Sequence, residues 1–252
     1  MKAVNVVLGG ALVGVLLVSG WSVAQADTED DFLGGFDPSI PWIWTVPLNN
    51  PNNTEDPSHY SFSDNSLDIL PQDGSLYDMY NNAHNIPTLV VLDQPANWYV
   101  ETAVATDWSQ ASLDAYVHAG LVFLVDADNY FTIYYSRDAS PTGRPNDQIT
   151  STYEVAQHPI YGNVASANWA PTTDYVGVRV EGTPSQVTFM FNRTGTWEVA
   201  GTFSSTTFPD EFAFLSSLIG YQVGLVTDTG GGFNNAPFSF NYFRTNLVVT
   251  GG

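Results

Sequence analysis

Side chains with complementary chemistry alternate along one apolar segment near the middle of the chain. Tyr175, Arg179 and Glu181 lie in DYVGVRVEG and have the opposite parity from its three valines. In a strand, the valines face a core while the other side presents an aromatic ring, a cation and a carboxylate. Sugars stack their C–H faces on such rings and pair their hydroxyls with such charges, so the pattern predicts a sugar-binding face. A solvent-facing sheet with an incidental Arg–Glu pair is the alternative interpretation.

Further residues are candidates for the same groove. Glu101 lies in NWYVETAVAT, His118 directly precedes AGLV, and Tyr134 lies in NYFTIYY. We expect Glu101 and His118 to lie close together if their two strands pair. A satisfied, half-buried histidine is the alternative for His118. The predicted ligand-binding set is therefore Glu101, His118, Tyr134, Tyr175, Arg179 and Glu181.

Catalysis is a second interpretation of these residues. A retaining glycosidase needs two carboxylates about 5 Å apart, but the strand pattern Glu-x-Asp-x-x-Glu does not occur in the sequence. A lyase would need a Tyr or His base with an Arg beside the uronate, and the chain offers His118, His158, Tyr134, Arg137 and Arg179. The sequence therefore identifies no catalytic residue.

Metal-binding patterns are weak throughout the chain. The four histidines lack the close spacing of a zinc site, and no cofactor is required by any motif. Three loops rich in oxygen ligands could supply structural calcium, namely Asp126–Asn129, Asp64–Asn65 and Asp228–Gly230. Asp, Asn and Gly are also ordinary turn residues, so we favour turns as the interpretation of these loops.

The elements that must position these residues are short strands bounded by Gly, Pro, Asn and Asp. Only Asp210–Ile219, between Pro209 and Gly220, fits a helix. We therefore predict an all-β fold, an antiparallel β-sandwich of the jelly-roll type with two curved sheets. The predicted strands are Trp42–Val46, His59–Ser63, Leu67–Leu70, Thr88–Leu92, Trp98–Thr106, Val117–Asp126, Tyr130–Ser136, Tyr153–Gln157, Tyr175–Glu181, Gln186–Asn192, Thr196–Phe203, Tyr221–Asp228 and Phe238–Val249.

Two local features refine this prediction. The polar DADN between Val125 and Tyr130 suits a hairpin turn, so the strands on either side of it should be neighbours. Strand alternation also predicts which residues form the core, and it places Trp197 and Val199 there together with Val187, Phe189 and Phe191.

The first residues have the features of a secretory signal peptide. Lys2 precedes a long apolar run that ends in Ala24-Gln25-Ala26, before an acidic segment. We expect residues 1–26 to be removed, residues 27–36 to form a flexible acidic leader, and residues 37–252 to form one domain. An uncleaved membrane anchor is the alternative, because the run is long enough to span a bilayer. We therefore expect a secreted protein with no membrane contact after cleavage.

The charge of the chain limits its partners. Its 26 acidic residues face only five arginines beyond the expected signal peptide, and it contains no cysteine. Such a surface repels polyphosphates, so a nucleic-acid partner is not expected. Without disulfides, stability must come from the core, and the excess acidity would suit a saline habitat.

The order of several short motifs resembles a known group of proteins. These motifs are Trp42-Ile43-Trp44, Pro57-Ser58-His59-Tyr60-Ser61, Glu101-Thr102, Ala119-Gly120-Leu121-Val122, Asn129-Tyr130 and Phe240-Asn241-Tyr242-Phe243-Arg244. Together they resemble concanavalin A-like jelly rolls, specifically the accessory domain that follows the propeller in family 43 β-xylosidases and arabinofuranosidases, and small proteins of the DUF1349 type. The resemblance covers about residues 33–250. Asn241 departs from it, because the family often has Asp between these aromatics.

The resemblance implies a domain that accompanies a catalytic propeller rather than performing hydrolysis itself. Our leading hypothesis is a secreted, non-catalytic, carbohydrate-binding or carbohydrate-associated sandwich. Its partners would be poly- or oligosaccharides, with a separate glycan-degrading enzyme as a second candidate partner. A polysaccharide-degrading enzyme, either a glycoside hydrolase or a lyase on the same fold, is the alternative. A structural surface protein is the third interpretation.

Overall fold

The chain is described by a computed structural model, which covers residues 27–45, 55–63, 65–72, 76, 83–107, 117–126, 128–138, 146–155, 158–169, 174–229 and 236–251. The expected signal peptide lies outside these residues. Within them the chain forms mainly strands, with one short 3-10 turn at Pro57–His59 and one α-helix, α1, at Pro209–Leu215. The strands are β1 (Thr28–Asp30), β2 (Ile43–Thr45), β3 (Tyr60–Ser63), β4 (Ser66–Ile69), β5 (Ile86–Asp93), β6 (Trp98–Thr106), β7 (Val117–Asp126), β8 (Asn129–Asp138), β9 (Asn146–Val155), β10 (His158–Trp169), β11 (Val176–Thr183), β12 (Gln186–Asn192), β13 (Trp197–Ser204), β14 (Gln222–Thr229), β15 (Phe238–Thr245) and β16 (Val248–Thr250).

Two antiparallel sheets make up the fold. Sheet A has the strand order β13-β12-β11-β6-β15-β4-β3. β4 pairs with the first half of β15, and β1 pairs with the second half of the same strand. Sheet B has the order β10-β9-β8-β7-β14-β5-β16, and β2 pairs with β5. The predicted all-β sandwich is therefore confirmed. The hairpin prediction is also confirmed, since β7 pairs with β8 across the Asp126–Asn129 turn.

The core lies between the sheets, because alternate side chains of each strand point inward. Val178 and Val180 of sheet A and Leu121 and Ile133 of sheet B are fully buried there. Aromatic rings join the sheets, and the rings of Phe131 and Phe189 stack with centroids 5.3 Å apart. The valine face predicted for β11 is therefore a core face.

The strand boundaries follow local pattern in some regions and depart from it in others. β6, β7 and β12 begin and end where the alternation predicts. β9 and β10 extend far beyond the short strand predicted at Tyr153–Gln157. The last predicted strand divides into β15 in sheet A and β16 in sheet B, because the chain crosses between sheets near Asn246. α1 ends at Leu215, four residues earlier than predicted.

The acidic segment after residue 26 is part of the domain, and the prediction of a flexible leader at residues 27–36 was wrong. β1 pairs with β15, and Phe32 is fully buried in the core. The buried carboxylate of Asp30 accepts hydrogen bonds from the backbone N–H groups of Phe32 and Asp37 and from Trp42 Nε1, at 2.8 to 3.0 Å. These hydrogen bonds to a buried carboxylate hold residues 30–42 in place. The prediction of a flexible leader rested on the acidic composition of the segment, which does not reveal these donors.

The outermost strand of sheet A corrects a second prediction. Trp197 and Val199 were expected in the core, but the side chain of Val199 is 60% exposed. A register shift between Phe189 and Met190 in the β12–β13 pairing changes the face on which β13 side chains lie. Bulges of this kind reverse alternation locally, and sequence periodicity cannot reveal them.

No helix in the described ranges is long and apolar enough to cross a bilayer. The one α-helix found there, α1, has seven residues, and Pro209 begins it with Asp210 and Glu211 in its first turn. Its single fully buried residue, Leu215, joins the main core.

Candidate functional site

The side of sheet A that faces away from the core carries charged and aromatic side chains. We call it the Arg179 face and define it by Tyr99, Glu101, Tyr175, Gly177, Arg179, Glu181, Trp197, Asn241, Tyr242, Arg244 and Glu29. Arg179 lies opposite Met190 on one side and Glu101 on the other, and Glu101 lies opposite Arg244, which lies opposite Glu29. This row crosses five strands, about 20 Å at the usual strand spacing.

Arg179 is the centre of this face. Its Nη1 donates to Glu101 Oε2 and its Nη2 to Glu181 Oε1, each at 2.6 Å. Its guanidinium lies over the ring of Tyr99, with 4.3 Å between its central carbon and the ring centroid. Glu101 is only 6% exposed, so loss of Arg179 would leave a nearly buried carboxylate without its closest partner.

Arg244 repeats the arrangement at the other end of the row. It binds Glu29 through both Nε and Nη2, and its Nη2 lies 3.5 Å from Asp31. Its guanidinium lies 4.3 Å from the centroid of Tyr242. Burial, together with the charge of Glu101, raises the pKa of Tyr242 to about 12, although the two arginines oppose this shift.

Trp197 is a functional candidate that the sequence prediction missed. Its indole covers Gly177, where an added Cβ would come within 2.9 Å of the ring, and it lies 5.8 Å from the guanidinium carbon of Arg179. Glycine at this position therefore permits the ring to lie close to the sheet. Gly177 within VGVRV was the available sequence signal, but it points to Trp197 only once β13 is in place.

Tyr175 and Asn241 form the opposite side of the same face. The side chain of Tyr175 is 41% exposed, and burial raises its pKa while a hydrogen bond with Ser66 lowers it. A bulge between Phe240 and Phe243 in β15 leaves Asn241 and Tyr242 opposite Ala103 of β6. Asn241 donates to the backbone carbonyl of Asn65 at 3.0 Å. These residues place a ring and an amide beside the small side chain of Ala103.

A cleft of about 240 Å³ lies at the β1 end of the face. Its walls are Asp27, Thr28, Glu29, Ser39, Ile40, Pro41 and Val249. Asp27 connects this cleft to the Arg179 face, because Tyr99 Oη donates a hydrogen bond to Asp27 Oδ2 at 2.7 Å. Burial raises the pKa of Tyr99, and the hydrogen bond with Asp27 and the charges of Asp27 and Glu101 add to this shift.

The six predicted site residues do not line one groove. Glu101, Arg179 and Glu181 are brought together as expected, and Tyr175 lies on the same sheet. His118 and Tyr134 lie on β7 and β8 of sheet B. The condition for proximity of Glu101 and His118 is not met, because β6 pairs with β11 and β15 whereas β7 pairs with β8 and β14.

The side of sheet B that faces away from the main core forms a second, smaller core. We call it the Tyr130 face and define it by Leu76, Ala83, Ile86, Val122, Leu124, Tyr130, Tyr134, Val226, His118, Glu154 and Asp228. Leu76 and Ala83 cover it, so Tyr130 and Tyr134 are almost fully buried. His118 is half-buried and stacks on Tyr134 with centroids 4.9 Å apart.

Ionisable groups lie within this second core. Tyr130 Oη donates to Glu154 Oε2 at 3.0 Å, and Glu154 is fully buried. Burial is the largest cause that raises the pKa of Tyr130, and the charges of Glu154 and Asp228 add to it. Asp228 lies directly opposite His118 in the sheet. Buried groups with shifted pKa values are found at catalytic sites and also in structural networks.

Another cluster contains the residue types of a catalytic triad but not its geometry. Ser58 Oγ donates to Asp56 Oδ1 at 2.6 Å, and His59 Nδ1 lies 2.8 Å from Asp56 Oδ2 and 3.0 Å from Ser58 Oγ. A triad needs the serine and the carboxylate on different imidazole nitrogens, whereas both contact Nδ1 here. Asp56 instead caps the 3-10 turn at Pro57–His59.

Of the three loops considered for calcium, one is largely described. Asp126 Oδ1 accepts hydrogen bonds from the backbone N–H of Asp128 and from Asn129 Nδ2, as in an Asx turn. Asp64 and Gly230 lie outside the described residues. Among the residues described, no group of three His, Asp or Glu side chains is arranged to hold a metal. Structural calcium stays a prediction, which a shift in Tm on adding EGTA would support.

The two-sheet architecture is that of a concanavalin A-like sandwich, and solved structures with this fold resemble it. The GH43 protein BlXynB from Bacillus licheniformis has a TM-score of 0.63 at 16% identity, and the match covers 87% of this chain and 39% of that one. Xylan beta-1,4-xylosidase from Bacillus halodurans has a TM-score of 0.59 at 18% identity, with coverages of 86% and 38%. The chain thus spans less than half the length of these enzymes.

The profile of the family described as Beta xylosidase C-terminal Concanavalin A-like domain matches residues 77–246. The chain therefore belongs to this family, as the sequence resemblance predicted. A structure described under endo-acting O-glycanases of the human gut microbiota has a TM-score of 0.58 at 11% identity, and the match covers 88% of this chain and 98% of that one. No curated protein sequence matches the chain.

Proposed function

We propose that this protein is a secreted, non-catalytic, glycan-binding domain whose ligand lies on the Arg179 face. The observation that carries the proposal is the Arg179 network, in which one guanidinium contacts Glu101, Glu181 and Tyr99 and lies near Trp197. Such a network holds an aromatic and polar surface rigid before a ligand binds, which reduces the entropy lost on binding.

The exposed parts of the face fit the chemistry of a sugar chain. The ring of Trp197 lies close over Gly177 and is half-buried, so the part of the indole that solvent reaches is available to stack on a sugar ring. Tyr175 supplies a second exposed ring. Glu181, 38% exposed in its side chain, and Asn241 supply hydrogen-bonding groups between and beside the rings. The row across the strands and the cleft at Asp27 extend the surface for several sugars.

Glycan binding is tested with a glycan array followed by calorimetry on the best ligand. We expect Trp197→Ala to weaken binding at least tenfold, about 1.4 kcal/mol, and Trp197→Phe to restore part of it. Leu92→Ala is the matched control, since Leu92 is 55% exposed on sheet B and lies away from this face. Unchanged affinity in Trp197→Ala would place the ligand elsewhere.

Secretion is tested separately by expressing the full chain in a secreting host. We expect the protein in the medium to begin at Asp27, which leaves β1 intact because β1 begins at Thr28. Retention in the cell membrane with residue 1 still present would contradict the proposal.

Hydrolysis is the second candidate, and one observation favours it. Glu154 is fully buried and hydrogen-bonded to Tyr130, with Asp228 close enough to affect the pKa of the same phenol. If the protein is an enzyme, a glycoside hydrolase fits best, since two carboxylates are its usual catalytic groups. Reducing-end and unsaturated-uronate assays decide: product formation that Glu154→Gln abolishes supports hydrolysis, whereas binding without product supports the non-catalytic role. Neither binding nor product would support a structural surface protein.

A further inference from the structure

Both arginines of the Arg179 face are committed to the protein's own groups. Arg179 donates to Glu101 and Glu181, and Arg244 donates to Glu29 and lies within 4.0 Å of Asp31 and Glu101. One side of each guanidinium also lies against a ring, Tyr99 or Tyr242. An arginine recognises a ligand carboxylate by donating two parallel hydrogen bonds, which requires a free edge. Here the terminal nitrogens of Arg179 already hold protein carboxylates.

Carboxylates outnumber cations on this face. The residues in and beside the row are Asp27, Glu29, Asp31, Glu101 and Glu181 against Arg179 and Arg244, a net charge of −3 at neutral pH. Cleavage before Asp27 would add one α-ammonium group and leave the face negative. Asp31, with a half-exposed side chain, and Glu181 extend this negative potential toward solvent.

One further cation, Arg193, lies near this face in the part of the chain that the structure describes, and counting it still leaves a net charge of −2, from five carboxylates and three arginines. Arg193 lies in the turn before Trp197, where it has interactions of its own within the protein. A ligand carboxylate on this face would therefore meet fixed negative charges at close range, and like charges across an interface cost affinity and so exclude such a ligand.

We infer that the Arg179 face selects uncharged glycans and rejects chains that carry uronate or sulfate groups. This inference rests on the proposed glycan-binding function. In it, Arg179 and Arg244 are positioning residues: they hold Tyr99, Tyr242 and the carboxylates in place, while the ligand contacts Trp197, Tyr175 and Glu181. The fixed carboxylates supply the discrimination.

The test uses pairs of polymers that share a backbone and differ in charge. The pairs are methyl-esterified and de-esterified homogalacturonan, and hydroxyethyl and carboxymethyl cellulose, with affinity electrophoresis or calorimetry on the full protein. We expect the neutral member to bind at least tenfold more tightly than the charged member at low salt. The ratio should shrink as NaCl is added, because screening weakens charge repulsion at exposed groups.

Variants separate the local charge of the face from the net charge of the chain. Glu29→Gln with Asp31→Asn frees Arg244 and removes two negative charges, so we expect the neutral-to-charged affinity ratio to fall at least threefold. The control, Asp93→Asn with Asp210→Asn, removes the same charge from exposed sites on β5 and α1. It should leave the ratio unchanged.

Each outcome has a distinct meaning. Equal or tighter binding of the charged polymer in the unmodified protein overturns the selectivity, and so does an equal fall of the ratio in the control variant. Binding that Trp197→Ala does not weaken refutes the proposed site, whatever the charge ratio. If the protein binds none of the four polymers and no glycan on the array, the proposed function is refuted, and the selectivity is refuted with it.

Discussion

The outer faces of the two sheets differ in what covers them. On the Arg179 face the side chains of Arg179, Glu181 and Arg244 are between 23% and 38% exposed. On the Tyr130 face, Leu76 and Ala83 pack over the sheet, and Tyr130 and Glu154 are nearly or fully buried. The same alternation of strand residues therefore produces an open charged surface on one sheet and a second core on the other.

The polar groups of the two faces reflect this difference. On the Arg179 face, the carboxylates of Glu29, Asp31 and Glu181 are in reach of solvent, where screening limits the contribution of each ion pair, whereas Glu101 is nearly buried. On the Tyr130 face, Glu154 is buried away from water. Loss of its hydrogen bond with Tyr130 would therefore cost more free energy of unfolding than loss of a solvent-exposed hydrogen bond. One face is suited to meeting a ligand, and the other to holding the fold together.

The largest effect should come from opening the Tyr130 face. Leu76→Ala removes a fully buried side chain from the second core and should lower the free energy of unfolding by about 3 kcal/mol. Urea denaturation measures the loss. Glycan affinity on the Arg179 face should not change in the folded variant, and a parallel loss of affinity would show that the faces are coupled.

A smaller effect should follow from removing the central cation of the Arg179 face. Arg179→Met leaves Glu101 nearly buried without its closest partner, so we expect a loss of about 2 kcal/mol of stability. Arg244→Met, at a more exposed pair, should cost only about 0.5 kcal/mol. Equal losses in the two variants would mean that burial does not set the value of these pairs.

Alkaline titration should distinguish the tyrosines of the two faces. Tyr242 has a folded-state pKa of about 12 against an ordinary value of 10, so its protonated form stabilises the folded state. This contribution is complete below pH 10 and is lost as pH rises from 10 to 12.

Stability measured by urea denaturation across that range should therefore fall less steeply in Tyr242→Phe. The buried Tyr130, with its pKa raised further, should ionise only when the protein unfolds, and ultraviolet absorbance follows both events. A Tyr130 that ionises in the folded protein would show that the Tyr130 face is open to water.

The smallest effect should come from the exposed edge of the Arg179 face. Val199→Thr should change the free energy of unfolding by no more than about 0.5 kcal/mol, because its side chain is 60% exposed. Val178→Thr, on the buried side of the same sheet, is the comparison and should cost clearly more. Similar losses of unfolding free energy in the two variants would indicate that Val199 lies in the core, as the sequence predicted.

Local pattern was sufficient for part of the candidate site. The alternation in VGVRVE separates the buried valines from Arg179 and Glu181, and the structure keeps that separation. Glu101 was also correctly associated with Arg179, since its strand pairs directly with β11. These predictions succeeded because the period of a strand is fixed by backbone geometry.

Other parts of the site depend on contacts that are distant in sequence. His118 and Tyr134 have the right alternation but lie on the other sheet, which no local pattern could indicate. Trp197 joined the face only because the β12–β13 register shifts by one residue. In the sequence Asp30 belongs to an acidic segment, and only the structure shows that the backbone N–H of Asp37 and Trp42 Nε1 donate hydrogen bonds to its carboxylate.

The sequence by itself determined the strand-rich class of the fold, the family, and the side of β11 that carries Arg179 and Glu181, because these depend on alternation and motif order along the chain. Only the tertiary structure decided that β6 lies beside β11 and β15 rather than β7. It also decided that Leu76 closes one sheet while Trp197 and Tyr175 remain on the other. The physical reason is that strand partners and covering segments are chosen by packing between distant residues, which alternation along one strand does not record.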